Sequence, residues 1–183
     1  KKLGYTGAGT FEFLYQDGEF SFIEMNTRLQ VEHPVTELLT GIDLISQQIF
    51  VASNEKLKIS QKDIFFNGHS IECRINAENP ETFLPSPGNI TFFHPPGGPG
   101  VRIDSHIYSG YDVPPNYDSL LAKIIGHAED RGSAIKKMLF ALDETVIEGI
   151  QTNISLHKKL LTSEFFVNGK FTINTLNEFI KKN

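Results

Sequence analysis

The run Glu24-Met25-Asn26-Thr27-Arg28-Leu29-Gln30-Val31-Glu32-His33-Pro34 sets two carboxylates, two amides and a guanidinium at every second position, then meets a proline. In extended backbone alternate residues share a face. Glu24, Asn26, Arg28, Gln30 and Glu32 would then all point one way. An apolar core cannot accept five such groups unpaired. The row belongs on solvent or around a charged ligand.

The flanking residues supply the elements that would hold it. Glu19-Phe20-Ser21-Phe22-Ile23 has the pattern of a strand, as does Gly9-Thr10-Phe11-Glu12-Phe13-Leu14-Tyr15, and Asp17-Gly18 between them is a turn pair. Together they predict a β-hairpin over 8–25. A two-residue loop would pair Gln16 with Glu19 and put Glu12 and Glu24 on opposite faces. A three-residue loop, with Gly18 left-handed, would pair Tyr15 with Glu19 and set Glu24 diagonally from Glu12 on one face, with Cα atoms roughly 7–8 Å apart. The expectation is the odd-length loop and a shared face. Carboxylates that close repel unless a cation lies between them, and hard oxygen ligands suit Mg²⁺, which keeps positions for water and substrate phosphates.

These segments closely resemble the biotin carboxylases, the ATP-grasp subunits or domains of biotin-dependent carboxylases. An acid on one strand and Glu24-Met25-Asn26 on the next look like the general ATP-grasp metal signature. The continuation from Asn26 through Pro34 to Val35-Thr36-Glu37 is similar to the family's own signature. Further similar runs are Glu72-Cys73-Arg74-Ile75-Asn76-Ala77-Glu78, Phe83-Leu84-Pro85-Ser86-Pro87-Gly88 and Tyr117-Asp118-Ser119-Leu120-Leu121-Ala122-Lys123. The resemblance implies an α+β fold, with the end of an ATP-grasp core and a linker over 1–66 and a biotin carboxylase C-terminal domain over 67–183. It implies that Glu12, Glu24 and Asn26 hold Mg²⁺ or Mn²⁺ on the phosphates of ATP. Arg28, Gln30 and the Val31 backbone would bind bicarbonate, and Glu32 would take its proton. Bicarbonate would attack the γ-phosphate to give carboxyphosphate and ADP. Arg74 would stabilise the biotin enolate near the bicarbonate. Implied partners are a biotin carboxyl carrier protein, a carboxyltransferase and a second copy in a homodimer, in the cytoplasm. Arg102 lies where relatives build the dimer contact, and Asp118 and Lys123 match a run near the biotin site. Alternatives are a piece of a pyruvate or acyl-CoA carboxylase chain, or, for these residues alone, a non-catalytic folding and dimerisation module.

Composition agrees. The 183 residues carry a net charge of −5, which predicts no nucleic-acid footprint. No apolar run approaches the roughly 20 residues of a membrane helix. The one cysteine, Cys73, cannot form an internal disulfide, which points to a reducing compartment and a buried structural thiol. His33, before Pro34, is expected to be structural, and His69, His106 and His127 lack ligand spacing. His94-Pro95-Pro96-Gly97-Gly98-Pro99-Gly100 is a turn cluster rather than a phosphate cradle. Lys1-Lys2-Leu3-Gly4-Tyr5 looks like the tail of a helix entering a strand. The resemblance places the phosphate-covering loop, the lid and the nucleotide-base pocket upstream, so the chain alone is expected to be catalytically silent. Phe11 and Phe13 are the apolar residues expected to be exposed.

Further elements follow from periodicity. A polar loop over 26–34 leads to a helical turn or two from Val35 closing at Gly41, then a helix capped by Asp43. After a linker at 54–66, strands are expected at 69–76, 89–94, 100–105 and 119–126. Ile135, Met138, Leu139, Leu142 and Val146 predict a helix ending at Gly149. Asn153 is expected to cap a second helix, and Thr175 with Glu178 fits a capping box for a third.

Overall fold

The computed structural model describes residues 4–182, so the expectation for Lys1, Lys2 and Leu3 lies outside the described residues. The chain divides into two compact units after Asn67. Among the described residues no helix is long and apolar enough to cross a membrane.

The first unit opens with strands β1 (Thr10–Gln16) and β2 (Glu19–Asn26), paired antiparallel. The expected three-residue loop is not what forms. Gln16 pairs with Glu19, and Asp17 and Gly18 both take positive φ, 53° and 88°. That is the two-residue type I′ turn, whose twist matches that of the flanking strands. The register then slips once: Phe13 pairs with Phe22, but Glu12 pairs with Glu24, leaving Ile23 as the extra residue of a β-bulge. In unbroken alternation Glu24 would share a face with Phe20 and Phe22. The bulge returns it to the face of Glu12.

The opposite face carries aromatic rings. Phe13 packs edge-on against Phe20 and Phe22 at centroid distances of 6.1 and 5.8 Å, and Phe11 lies 6.4 Å from Phe22. Phe11 is 59% exposed and Phe13 48%. Helix α1 (His33–Thr40) begins before Val35, with Pro34 in its first turn, where a missing N–H costs nothing. Gly41 closes it at φ 69°, donating its N–H to Glu37 O. The Asp43 carboxylate caps α2 (Leu44–Ala52), accepting from Ser46 N at 2.7 Å.

The second unit is built on a three-stranded antiparallel sheet. Strand β3 (His69–Asn76) forms one edge. β4 (Gly88–Asn89) and β5 (Phe92–His94) lie outside it, β6 (Val101–Ser105) is its other edge, β7 (Asp112–Val113) pairs with β4, and β8 (Leu120–Ala128) is its centre. The single strand expected over 89–94 is therefore two short ones: β4 pairs with β7, and β5 with β9 (Val146–Glu148). Between them Ile90 is fully buried.

Helix α3 (Arg131–Glu144) covers the sheet. Its Ala134, Ile135, Met138 and Leu142 pack on Ile71, Cys73, Ile75 and Ile124. Each such aliphatic side chain contributes about 1.5–3 kcal/mol on burial. The helix stops short of Gly149, and Val146 belongs to β9. Thr145, Val146 and Ile147 are β-branched, which disfavours a further helical turn, and Thr145 Oγ1 donates to Ala141 O at 2.7 Å. Helices α4 (Ile154–Thr162), α5 (Glu164–Val167) and α6 (Thr175–Lys182) complete the unit. Two expected caps differ. The Asn153 side chain does not cap α4 but reaches β3. Thr175 Oγ1 accepts from Thr172 N at 2.8 Å, ahead of α6.

Candidate functional site

Five polar side chains of the first unit meet in one hydrogen-bonded chain. Glu12 and Glu24 are direct register partners on one face of the hairpin. Asn26 Nδ2 donates to Glu12 Oε1 at 2.7 Å and to Glu24 Oε1 at 3.2 Å, so one amide bridges the two carboxylates. Gln30 Nε2 also donates to Glu12 Oε1, at 3.1 Å. Arg28 Nη1 lies 3.4 Å from Gln30 Oε1 and 3.2 Å from Leu29 O.

The expected extended row does not exist. β2 ends at Asn26, and the backbone turns before α1. His33 holds that turn, its Nδ1 donating to Gln30 O at 2.8 Å and its backbone N to the same oxygen at 3.2 Å. The loop thus folds back, so that Gln30 meets Glu12 across 18 residues. Glu32 is exposed at the start of α1. With Arg28, Gln30, Gly9 and Val51 it lines a cleft of about 430 Å³.

Two facing carboxylates need positive charge between them, and amide N–H groups meet part of that need here. The donor set suits a hard cation: carboxylate oxygens first, an amide beside them. Among the described residues no three His, Cys, Asp or Glu side chains cluster. The pair therefore leaves most of a cation's coordination positions to water or to a phosphate-bearing ligand.

In the second unit Arg74 stands on β3, its side chain about half exposed, with Nε 4.0 Å from Oε1 of the buried Glu72. Beside it the Cys73 thiol is buried and its pKa is pushed up to about 12 by desolvation and then by the Glu72 charge, which makes it inert. Behind Arg74, two residues of α4's first turn hold the strand. Asn153 Nδ2 and His157 Nε2 both donate to Arg74 O, at 3.1 and 2.8 Å. Burial pushes the His157 imidazole below its usual pKa, against the opposing effect of that carbonyl. Asn153 was legible as a helix start, but its partner 77 residues away was not.

The other polar residues singled out in the sequence make contacts within the second unit. Arg102 grips Asp104 through two hydrogen bonds, at 2.8 and 2.9 Å, and Lys123 Nζ lies 3.2 Å from the same carboxylate. Burial raises the pKa of Asp104, but these cations outweigh it and hold the carboxyl below its usual value. Asp118 Oδ1 accepts from Leu120 N at 2.9 Å at the entry to β8. His69 Nε2 lies 3.1 Å from Arg131 Nη1, and His106 packs edge-on against Tyr111.

Comparison with known proteins places these sites in context. The model of the biotin carboxylase C-terminal domain matches residues 72–178, and that of the carbamoyl-phosphate synthase L chain ATP-binding domain matches residues 1–60. The chain is 58% identical over 180 residues to the biotin carboxylase of Allochromatium vinosum, covering 98% of this chain and 40% of that protein. It is 52% identical over 178 residues to a pyruvate carboxylase subunit of Methanothermobacter thermautotrophicus, covering 97% and 36%. Among solved structures, a complex of biotin carboxylase from Campylobacter jejuni is similar with a TM-score of 0.92 at 52% identity, covering 96% of this chain and 40% of that one. The biotin carboxylase domain dimer of Hydrogenobacter thermophilus 2-oxoglutarate carboxylase, solved with MgADP and bicarbonate, is similar with a TM-score of 0.94 at 47% identity, covering 97% and 40%. The chain spans about 40% of the length of such biotin carboxylases.

Proposed function

Because this chain belongs to the biotin carboxylase family, we propose that the intact protein carboxylates biotin on a carrier protein, using ATP and bicarbonate through carboxyphosphate. The observation that carries this reading is the Glu12–Glu24 pair bridged by Asn26. These three residues would hold Mg²⁺ or Mn²⁺. Bound there, the cation offsets the negative charge of the ATP phosphates during phosphoryl transfer. Arg28, Gln30 and the Val31 backbone orient bicarbonate, the planar fork of the guanidinium matching a planar oxyanion. Glu32, open to the same cleft, accepts the bicarbonate proton, so that the oxygen attacking the γ-phosphate carries its full charge. Carboxyphosphate breaks down to CO₂ and phosphate, the phosphate takes the proton of the biotin ureido nitrogen, and Arg74 stabilises the negative charge that develops on the ureido oxygen.

The protein works as a homodimer in the cytoplasm, with a biotin carboxyl carrier protein and a carboxyltransferase. Identity of 52% to a pyruvate carboxylase subunit favours a second reading of the same site, in which the final acceptor is a keto acid rather than an acyl-CoA. The biotin half-reaction is common to both. The 183 residues by themselves bind MgATP weakly and do not turn it over, because Mg²⁺ relies on phosphates held by other groups.

The test is ADP release and incorporation of labelled bicarbonate into biotin by the intact protein. Both should require Mg²⁺ and bicarbonate, and replacing Glu12 and Glu24 together by Gln should abolish both. Equal rates with and without bicarbonate would overturn the reading. Micromolar MgATP binding by the 183 residues in calorimetric titration would show a more self-contained site.

A further inference from the structure

Arg74 projects from an edge strand at a point where the sheet is irregular. β3 has β8 on one side only, and its register slips between Ile75 and Asn76, one residue beyond Arg74. The extra residue there is Leu121 of β8, so the ladder that holds β3 from its paired side is interrupted just beyond Arg74. The Arg74 side chain is about half exposed, with Nε 4.0 Å from Glu72 Oε1, and it leaves the strand from this edge.

That backbone is held from the open edge. The buried Asn153 side chain works like a short strand: Oδ1 accepts Asn76 N at 2.9 Å while Nδ2 donates to Arg74 O at 3.1 Å. Asn153 N donates to Asn76 O at 3.3 Å, and His157 Nε2, one helical turn further, donates to Arg74 O at 2.8 Å. A residue in Asn153's place would ordinarily spend its side chain on capping its own helix. This one spends both ends of its amide on the strand.

We propose that Asn153 and His157 are positioning residues for Arg74, clamping the open edge of β3 beside the interrupted ladder so that the guanidinium leaves the strand in one fixed direction. The inference rests on the reading that Arg74 acts on biotin. Small misplacement of a charge-stabilising group costs rate without costing the fold.

The experiment uses the intact enzyme and measures two reactions separately: carboxylation of biotin, and ATP hydrolysis in the absence of biotin. Asn153→Ala and His157→Phe should each lower kcat/KM for biotin about tenfold or more. The KM for MgATP and the biotin-independent hydrolysis should stay near wild type. His157→Gln, whose amide can donate to the same carbonyl, should recover most of the loss. His157→Phe added to Arg74→Lys should cost nothing further. Losses spread equally over both reactions, or full loss on top of Arg74→Lys, would make the clamp an ordinary packing contact and overturn the proposal. Should Asn153→Ala fail to fold, the His157 pair decides. If Arg74→Lys alone carboxylates biotin normally, the role of Arg74 falls and the clamp with it. If Arg74→Lys is impaired but His157→Phe is normal, the clamp alone falls.

Discussion

Glu32 stands exposed at the first turn of α1, in the cleft shared with Arg28 and Gln30. Glu32→Gln keeps the shape and an oxygen acceptor but cannot take a proton. In the intact protein it should bind MgATP normally and lose about 10²–10⁴ in bicarbonate-dependent turnover; turnover near wild type would remove Glu32 from the mechanism. Asp104 makes a different kind of prediction. Arg102 and Lys123 hold its carboxyl below the usual value, so its pKa is lower folded than unfolded. Such a group stabilises the fold above its unfolded pKa, about 3.9, and the contribution is lost as pH falls through the folded value. Wild type should therefore exceed Asp104→Asn in urea midpoint at pH 7, and the gap should close as pH drops below about 4. A gap that stays constant down to pH 3 would show that the carboxylate's charge is not what stabilises. At this scale the residues were legible: Glu12, Glu24, Asn26, Arg28 and Gln30 stood out by type, and hydrogen bonds join them. Their linkage was not legible, because it runs through a folded-back loop rather than along a strand.

The hairpin shows where pattern gives out at the scale of elements. Asp17-Gly18 announced the turn, and β3 was legible to its ends, because apolar alternation and turn residues bound it. The register was not: Phe22-Ile23 breaks the alternation that Phe20-Ser21-Phe22 begins, but only pairing with β1 reveals that Ile23 is an extra residue rather than an outward apolar one. The shared face of Glu12 and Glu24 was expected, but through a longer loop; the bulge achieves it instead. A contrast follows. Deleting Ile23 removes the unpaired residue and leaves Phe22 on one face and Glu24 on the other, so the intact protein should keep most of its Mg²⁺-dependent turnover. Inserting one alanine after Ile23 shifts Glu24 toward the aromatic face and should abolish it, because one residue of slip reverses every side chain. Similar rates in the two variants would count against the bulge. α3 taught the reverse lesson: its apolar period ran on through Val146, but Thr145, Val146 and Ile147 prefer extended backbone, and β5 was there to pair with them.

Across the whole molecule the buried apolar residues are unevenly shared. From Ile71 to Leu161 the buried hydrophobic residues belong to the second unit, whereas in the described part of the first only Pro34 is buried. Meanwhile the first unit exposes Phe11, Phe13, Phe20 and Phe22 as one apolar face, the kind of patch that drives association. Residues 68–183 made alone should therefore keep a cooperative thermal transition, while residues 1–67 alone should not; calorimetry of each piece checks this, and a broad, non-cooperative melt of 68–183 would contradict it. The burial of Cys73 has a further use. It is the one thiol in a chain that contains no tryptophan, and it lies in β3 under α3 with its ionisation suppressed to about 12. Cys73 is 3% exposed, so an alkylating reagent can reach it only in the moments when the packing around β3 opens. The rate of labelling in native buffer is then a clock: it counts how often the interior opens, in a molecule whose absorbance and fluorescence would barely register the event.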